Sequence, residues 1–128
     1  MIFLLTVVFA LHFAGDFLLQ RPFLALTKSY WPAALLEHVM IYTLVLFSGV
    51  FLLFPGSAVD KLDFVFVNAF IHFLTDYFTG PLFKRVEASR GLHNSSVPFL
   101  NTGAVTIYGL DQLIHFWVLT ATTIFYFN

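Results

Sequence analysis

The sequence predicts an all-α integral membrane protein, a four-helix bundle with both termini on the same side, and three observations predict it. The chain is 59% hydrophobic and only 10% charged, where a soluble domain carries roughly 25% charged residues. At that composition 128 residues lack the polar surface to cover a soluble fold, so the bilayer is the expected solvent. Four stretches approach the ~20 mostly apolar residues that cross a bilayer as a helix. Inside them, ionisable residues recur at one spacing: His12-Phe-Ala-Gly-Asp16, His72-Phe-Leu-Thr-Asp76 and, reversed, Asp111-Gln-Leu-Ile-His115.

The first helix is expected over about 2–20. It has no positive n-region and no small-residue cleavage site, so it reads as a retained span rather than a signal peptide. Arg21-Pro22 stops it, because proline disfavours helical geometry in the residue before it. A short connection follows, with Lys28 and a Tyr30-Trp31 pair of the kind that sits at headgroup level. The second helix starts at Pro32, a favoured first-turn residue, and runs to Phe54, where Pro55-Gly56 marks a turn. Asp60 and Asp63 suit the start of a third helix, expected over about 64–80 and kinked or ended by Gly80-Pro81. Residues 84–102 form the most polar segment and read as the longest loop. The fourth helix is expected over about 103–127, with Gly109 permitting close helix approach two residues before Asp111. Residues 1–128 thus make a single transmembrane domain.

Charge and cysteine content exclude several classes. Six basic residues against seven acidic ones give a net charge of −1, so there is no basic surface for nucleic acid. With no cysteine there is neither a disulfide framework nor a thiolate metal site. Basic residues in short loops set orientation. The first and third connections hold Arg21, Lys28, Lys84, Arg85 and Arg90 and the second holds only Lys61, which predicts loops 21–31 and 84–102 in the cytoplasm and both termini outside. The Asn94-Ser95-Ser96 sequon carries no weight on that side.

Depth follows from the helical rise. His12 and Asp16 lie roughly 13 and 7 Å from the Arg21 end, His38 about 10 Å past Trp31, and Asp76 and His72 roughly 12 and 18 Å before Lys84. Asp111 and His115 lie about 12 and 18 Å into the fourth helix on the same measure. All four helices therefore put their ionisable groups in the cytoplasmic half of the membrane. An intramembrane ionisable residue costs at least ~2.5 kcal/mol on insertion scales and points to a functional site. Residues four apart share a helix face, so each pair presents both groups in one direction, inward.

Imidazole and carboxylate together suit Zn²⁺, the first choice here, or Mn²⁺, Fe²⁺ or Ni²⁺. The candidate metal ligands are His12, Asp16, His38, His72, Asp76, Asp111 and His115. Seven exceed the needs of one four-coordinate ion, so either two ions are bound or some carboxylates orient ligating imidazoles. The structural alternative is that these groups are hydrogen-bonding glue between membrane helices. Glu37 reads as a snorkelling interfacial residue, Gln20 and Gln112 as partners of neighbouring groups or water, and His93 as a solvated side chain.

The residues His12-Phe-Ala-Gly-Asp16-Phe-Leu-Leu-Gln20, with His38, His72-Phe-Leu-Thr-Asp76 and Asp111-Gln112-Leu-Ile-His115, resemble an uncharacterised family of small multi-pass membrane proteins of bacteria and their phages, over nearly the whole chain. The resemblance implies a shared polar site without assigning an activity. In residue type and location the site is also similar to membrane metal-dependent hydrolases, including ceramidase-like enzymes, which hold zinc with His and Asp inside a helix bundle.

The function expected is a membrane metal-dependent hydrolase acting on a lipid or lipid-linked substrate, with Asp16 or Asp111 as general base. Lys84, Arg85 and Arg90 are candidates for an anionic headgroup, beside their plainer role as topology determinants. A cation or proton carrier or channel using the His/Asp cluster is the alternative from another class; four helices are few for transport, which calls for a homo-oligomer. A non-catalytic membrane scaffold is the third.

Overall fold

A computed structural model of the chain describes residues 1–21, 28, 31–89 and 102–128, which form four helices and no strand. Tyr30, Arg90, His93 and Asn94-Ser95-Ser96 lie outside the described residues.

Helix α1 (Ile2–Phe13) continues without a break into a π-helical turn, Ala14–Leu18. The Leu19 N–H donates to the carbonyl of Ala14, five residues back, at 2.9 Å. Helix α2 (Pro32–Leu53) opens with proline in its first turn after an extended Trp31, and closes at an extended Phe54. Both flanking residues precede a proline, which disfavours the helical conformation there. Gly56, at φ +101°, takes the left-handed turn that a side chain resists. Ser57 then caps helix α3 (Ala58–Ser89): its Oγ accepts the Asp60 N–H at 3.1 Å and donates to the Asp60 carboxylate at 2.7 Å. Helix α4 is Thr102–Phe127.

Two expectations need correction. Helix α3 begins at Ala58, not near Phe64, because the Ser57 cap satisfies the first-turn N–H groups several residues earlier. It also continues beyond Gly80-Pro81 to Ser89 rather than ending there, so Lys84 and Arg85 stand on a helix rather than in a loop. Proline inside a helix costs about 3 kcal/mol, and the packing of α3 along α4, the most extensive contact in the bundle, offsets it. Gly109 is the second correction: a Cβ there would meet nothing within 4 Å, so no helix approaches closely at that point. The close approaches are both between α1 and α2: at Gly15, where a Cβ would stand 3.1 Å from the Tyr42 Cα, and at Gly49, where it would overlap the Leu11 side chain.

The helices form a ring in which α1 packs on α2 and α4, and α3 packs on α2 and α4. One end of the ring is filled with hydrocarbon: Leu4 and Val8 from α1, Leu46 and Val50 from α2, Phe54, Phe64 and Val65 around the second turn, and Leu119 from α4, with Tyr126 and Phe127 against them. The other end holds His12, Asp16, His38, His72, Asp76, Asp111 and His115. Large apolar side chains such as Ile2, Leu52, Phe66, Phe78, Trp117 and Phe125 cover the outside. Among the described helices, α2 is long and apolar enough to cross a membrane, while the apolar run Ile2–Leu18 is shorter.

Candidate metal centre

Each helix contributes to one polar layer for a local reason. Spacing of four residues puts His72 and Asp76 on one face of α3 and Asp111 and His115 on one face of α4. On α1 the π-helical turn intervenes exactly where Asp16 sits, and such turns often mark functional sites. Gly15 lets this turn lie against Tyr42 of α2, which brings Asp16 to His38. All seven residues expected as ligands, His12, Asp16, His38, His72, Asp76, Asp111 and His115, are buried.

Four of them converge. His38 Nε2 lies 3.0 Å from Asp16 Oδ1, 3.3 Å from Asp76 Oδ2 and 3.1 Å from His72 Nε2. His72 Nε2 lies 3.8 Å from each of the same two carboxylate oxygens. Four ligands at zinc bond lengths stand about 3.3–3.6 Å apart at the corners of a tetrahedron, and the five observed separations bracket that range. Asp16 Oδ1 makes no hydrogen bond although it is within ion-pair distance of His38. His38 and His72 also hydrogen-bond each other through their Nε2 atoms, and the donor set and its spacing fit a divalent ion. Tyr42 stacks on His72 at 4.1 Å and 7° between planes, fixing that imidazole.

The other three expected ligands sit around this group. Asp76, Asp111 and His115 also bring one donor atom each within 4.8 Å of one another. His12 joins neither group; its Nε2 donates to the Gln112 Oε1 at 3.3 Å. The Gln112 amide donates to Asp16 Oδ2 and to Asp111 Oδ2, both at 3.1 Å, so this side chain ties α1 to α4 across the layer. Thr79 donates to Asp111 Oδ1.

Lys28 is the site residue that sequence reasoning missed. Its Nζ donates to Asp76 Oδ2 at 2.8 Å and lies 3.2 Å from His38 Nε2 and 3.8 Å from Asp16 Oδ1. Burial works against the ammonium, but the Asp76 and Asp16 carboxylates outweigh it and raise the lysine above its ordinary pKa. No helical spacing links residue 28 to this layer, because its position comes from a connection and not from a helix face.

A cavity of about 270 Å³ opens onto the layer, with Asp16, Lys28, Asp76, Lys84, Asp111 and Gln112 among its walls and Phe17, Phe83 and Ile107 as apolar lining. A second, of about 380 Å³, reaches Asp76 and Lys28 between α2 and α3, past Trp31, Leu35, Tyr77 and Phe78. Of the basic residues expected to meet a headgroup, Lys84 lines the first cavity and Arg85 is exposed away from it. Glu37 is exposed and pairs with Arg21 at 3.8 Å.

Comparison with curated proteins and with solved structures finds no match. A family model does match, over residues 4–128, nearly the whole chain and every residue of the polar layer. The chain belongs to that family, described as "Protein of unknown function (DUF3307)".

Proposed function

We propose that the chain is a multi-pass membrane protein that binds a divalent metal ion, zinc first, through Asp16, His38, His72 and Asp76, and uses it to hydrolyse a lipid or lipid-linked substrate reached from the cytoplasmic leaflet. The observation that carries this is the separation of the four donor atoms, 3.0–3.8 Å across five pairs, at the end of a bundle where a cavity reaches them. The distribution of side chains supports the membrane placement: four imidazoles and the carboxylates of Asp16, Asp76 and Asp111 are buried, while many large Phe, Leu, Ile and Trp side chains are exposed. In water such a surface would be an aggregation liability, and in a bilayer it is matched to its solvent.

A bound divalent ion polarises a scissile carbonyl or phosphoryl oxygen and makes water a nucleophile near neutral pH. The chain's own groups supply the rest. Asp16 and Asp111 stand on the cavity wall, each with an oxygen held by Gln112, and serve as proton acceptors. Lys28 and Lys84 offer positive charge to the polar part of a substrate, and Phe17, Phe83 and Ile107 offer an apolar wall to its chain. Transport, the other class, calls for a path through the bundle. The side chains of Val8, Leu46, Val50, Phe64 and Leu119 fill the opposite end, which favours a site served from one end.

The test is elemental analysis of detergent-purified, tag-free protein beside His72→Ala and Asp76→Asn, with turnover of fluorescent ester, amide and phosphoester lipids measured with and without a chelator. We expect stoichiometric metal in the wild type, its loss in both variants, and chelator-sensitive turnover. Protein without stoichiometric metal, or variants that retain it in full, would sink the metal site; metal without turnover of any lipid class would leave a binding protein.

A further inference from the structure

His115 stands apart from the four-residue group, and its surroundings do not satisfy it. It is 3% exposed, and neither ring nitrogen has a hydrogen-bond partner. A buried polar group left unpaired is costly, so a wholly unpaired imidazole is an expensive thing to keep. Its neighbours are carboxylates: Asp76 Oδ1 lies 3.8 Å from Nε2, and Asp111 Oδ2 lies 3.6 Å from Nδ1. A protonated imidazole clamped between two carboxylates would show contacts of about 2.7–2.9 Å. The two gaps involve opposite ring nitrogens, only one of which can ligate a given ion; taking one donor atom from each residue, Asp76, Asp111 and His115 lie within 4.8 Å of one another, a spacing that one ion can hold together.

Asp76 connects this cluster to the first. Its Oδ2 faces His38 and Lys28, at 3.3 and 2.8 Å, while its Oδ1 faces His115. One carboxylate thus points its two oxygens at two different groups of donors. We propose that Asp76, Asp111 and His115 form a second divalent-metal site, bridged to the first by Asp76. The proposal rests on the metal-binding reading above and extends it.

The two sites differ in kind. The first has four protein donors, the number that closes a tetrahedral ion, whereas the second has three and two of them, Asp76 and Asp111, line the 270 Å³ cavity. Three protein ligands with an open side are the pattern of a catalytic ion. Charge then narrows the substrate class. Asp16, Asp76 and Asp111 with Lys28 sum to −2 when the imidazoles are neutral, so two divalent ions bring the layer to +2. An anionic group, phosphate above all, neutralises that layer, and a neutral ester does not.

Stoichiometry separates this proposal from the reading it rests on. Tag-free protein equilibrated with Zn²⁺ and freed of excess ion is expected to hold two ions per chain, and His115→Gln one. Loaded with Mn²⁺, the wild type is expected to give a spin-coupled paramagnetic resonance spectrum, and His115→Gln the spectrum of an isolated ion. One ion per chain in the wild type, with an uncoupled spectrum, overturns the second site and leaves the first standing; no ion overturns both. Should His115→Gln fail to fold, the wild-type ratio and spectrum decide on their own.

Discussion

At Lys28 an ammonium group provides from within the chain the kind of charge a metal ion would bring from outside. It touches or approaches three of the four donor atoms of the first site, and like charges a few ångströms apart repel by about 4 kcal/mol even at an effective dielectric of 20. Lys28→Met should therefore tighten metal binding about tenfold or more, measured by competition with a chelator; weaker binding would mean that the lysine supports the loaded site instead. Gln112 works by hydrogen bonds. Replacing it with alanine leaves His12, Asp16 and Asp111 each short of a partner, and we expect a loss of about 1–3 kcal/mol, read as a lower thermal midpoint in detergent. The histidines and aspartates were legible in the sequence because a helix repeats its face every three to four residues. Lys28 was not, since it reaches Asp76 across 48 residues of sequence from a segment with no periodicity to read.

Among the elements, the π-helical turn at Ala14–Leu18 and the long α3 escape sequence reasoning for different reasons. A π turn keeps the composition of an α-helix and shifts register by one residue, so the pattern around Asp16 gives no sign of it. Its packing is tight: Gly15→Ala places a Cβ 3.1 Å from the Tyr42 backbone, and overpacking of this kind costs about 1–3 kcal/mol. We expect a lower thermal midpoint together with weaker metal binding, because α1 and α2 must part where Asp16 meets His38. Pro81 tests the opposite case. Local rules end or kink a helix there, and tertiary packing carried α3 onward to Ser89. Pro81→Ala restores a backbone hydrogen bond and should raise the thermal midpoint, by about 1–3 kcal/mol in stability, without changing metal stoichiometry.

For the whole molecule, the number of helices and the gathering of the ionisable residues at one end followed from composition and from depth counted along each helix. The joining of the two clusters through Asp76 did not, because one-dimensional spacing says nothing of which oxygen faces which helix. Topology is open to a direct test, since the chain has no cysteine. Ser57→Cys and Arg85→Cys, at opposite ends of the bundle, should react with a membrane-impermeant maleimide from opposite faces of sealed vesicles, Arg85→Cys from the cytoplasmic one. Reaction of both from the same face would remove the multi-pass arrangement.

The hydrocarbon that fills one end of the bundle, from Leu4 and Val8 to Phe64 and Leu119, makes the molecule a cup. On the hydrolase reading, whatever is converted must leave by the polar end, where two cavities reach Asp76 and Lys28, so product and fresh substrate compete for those openings. Turnover should then slow as product accumulates, and the fragment that carries the anionic group should be the stronger inhibitor of the two.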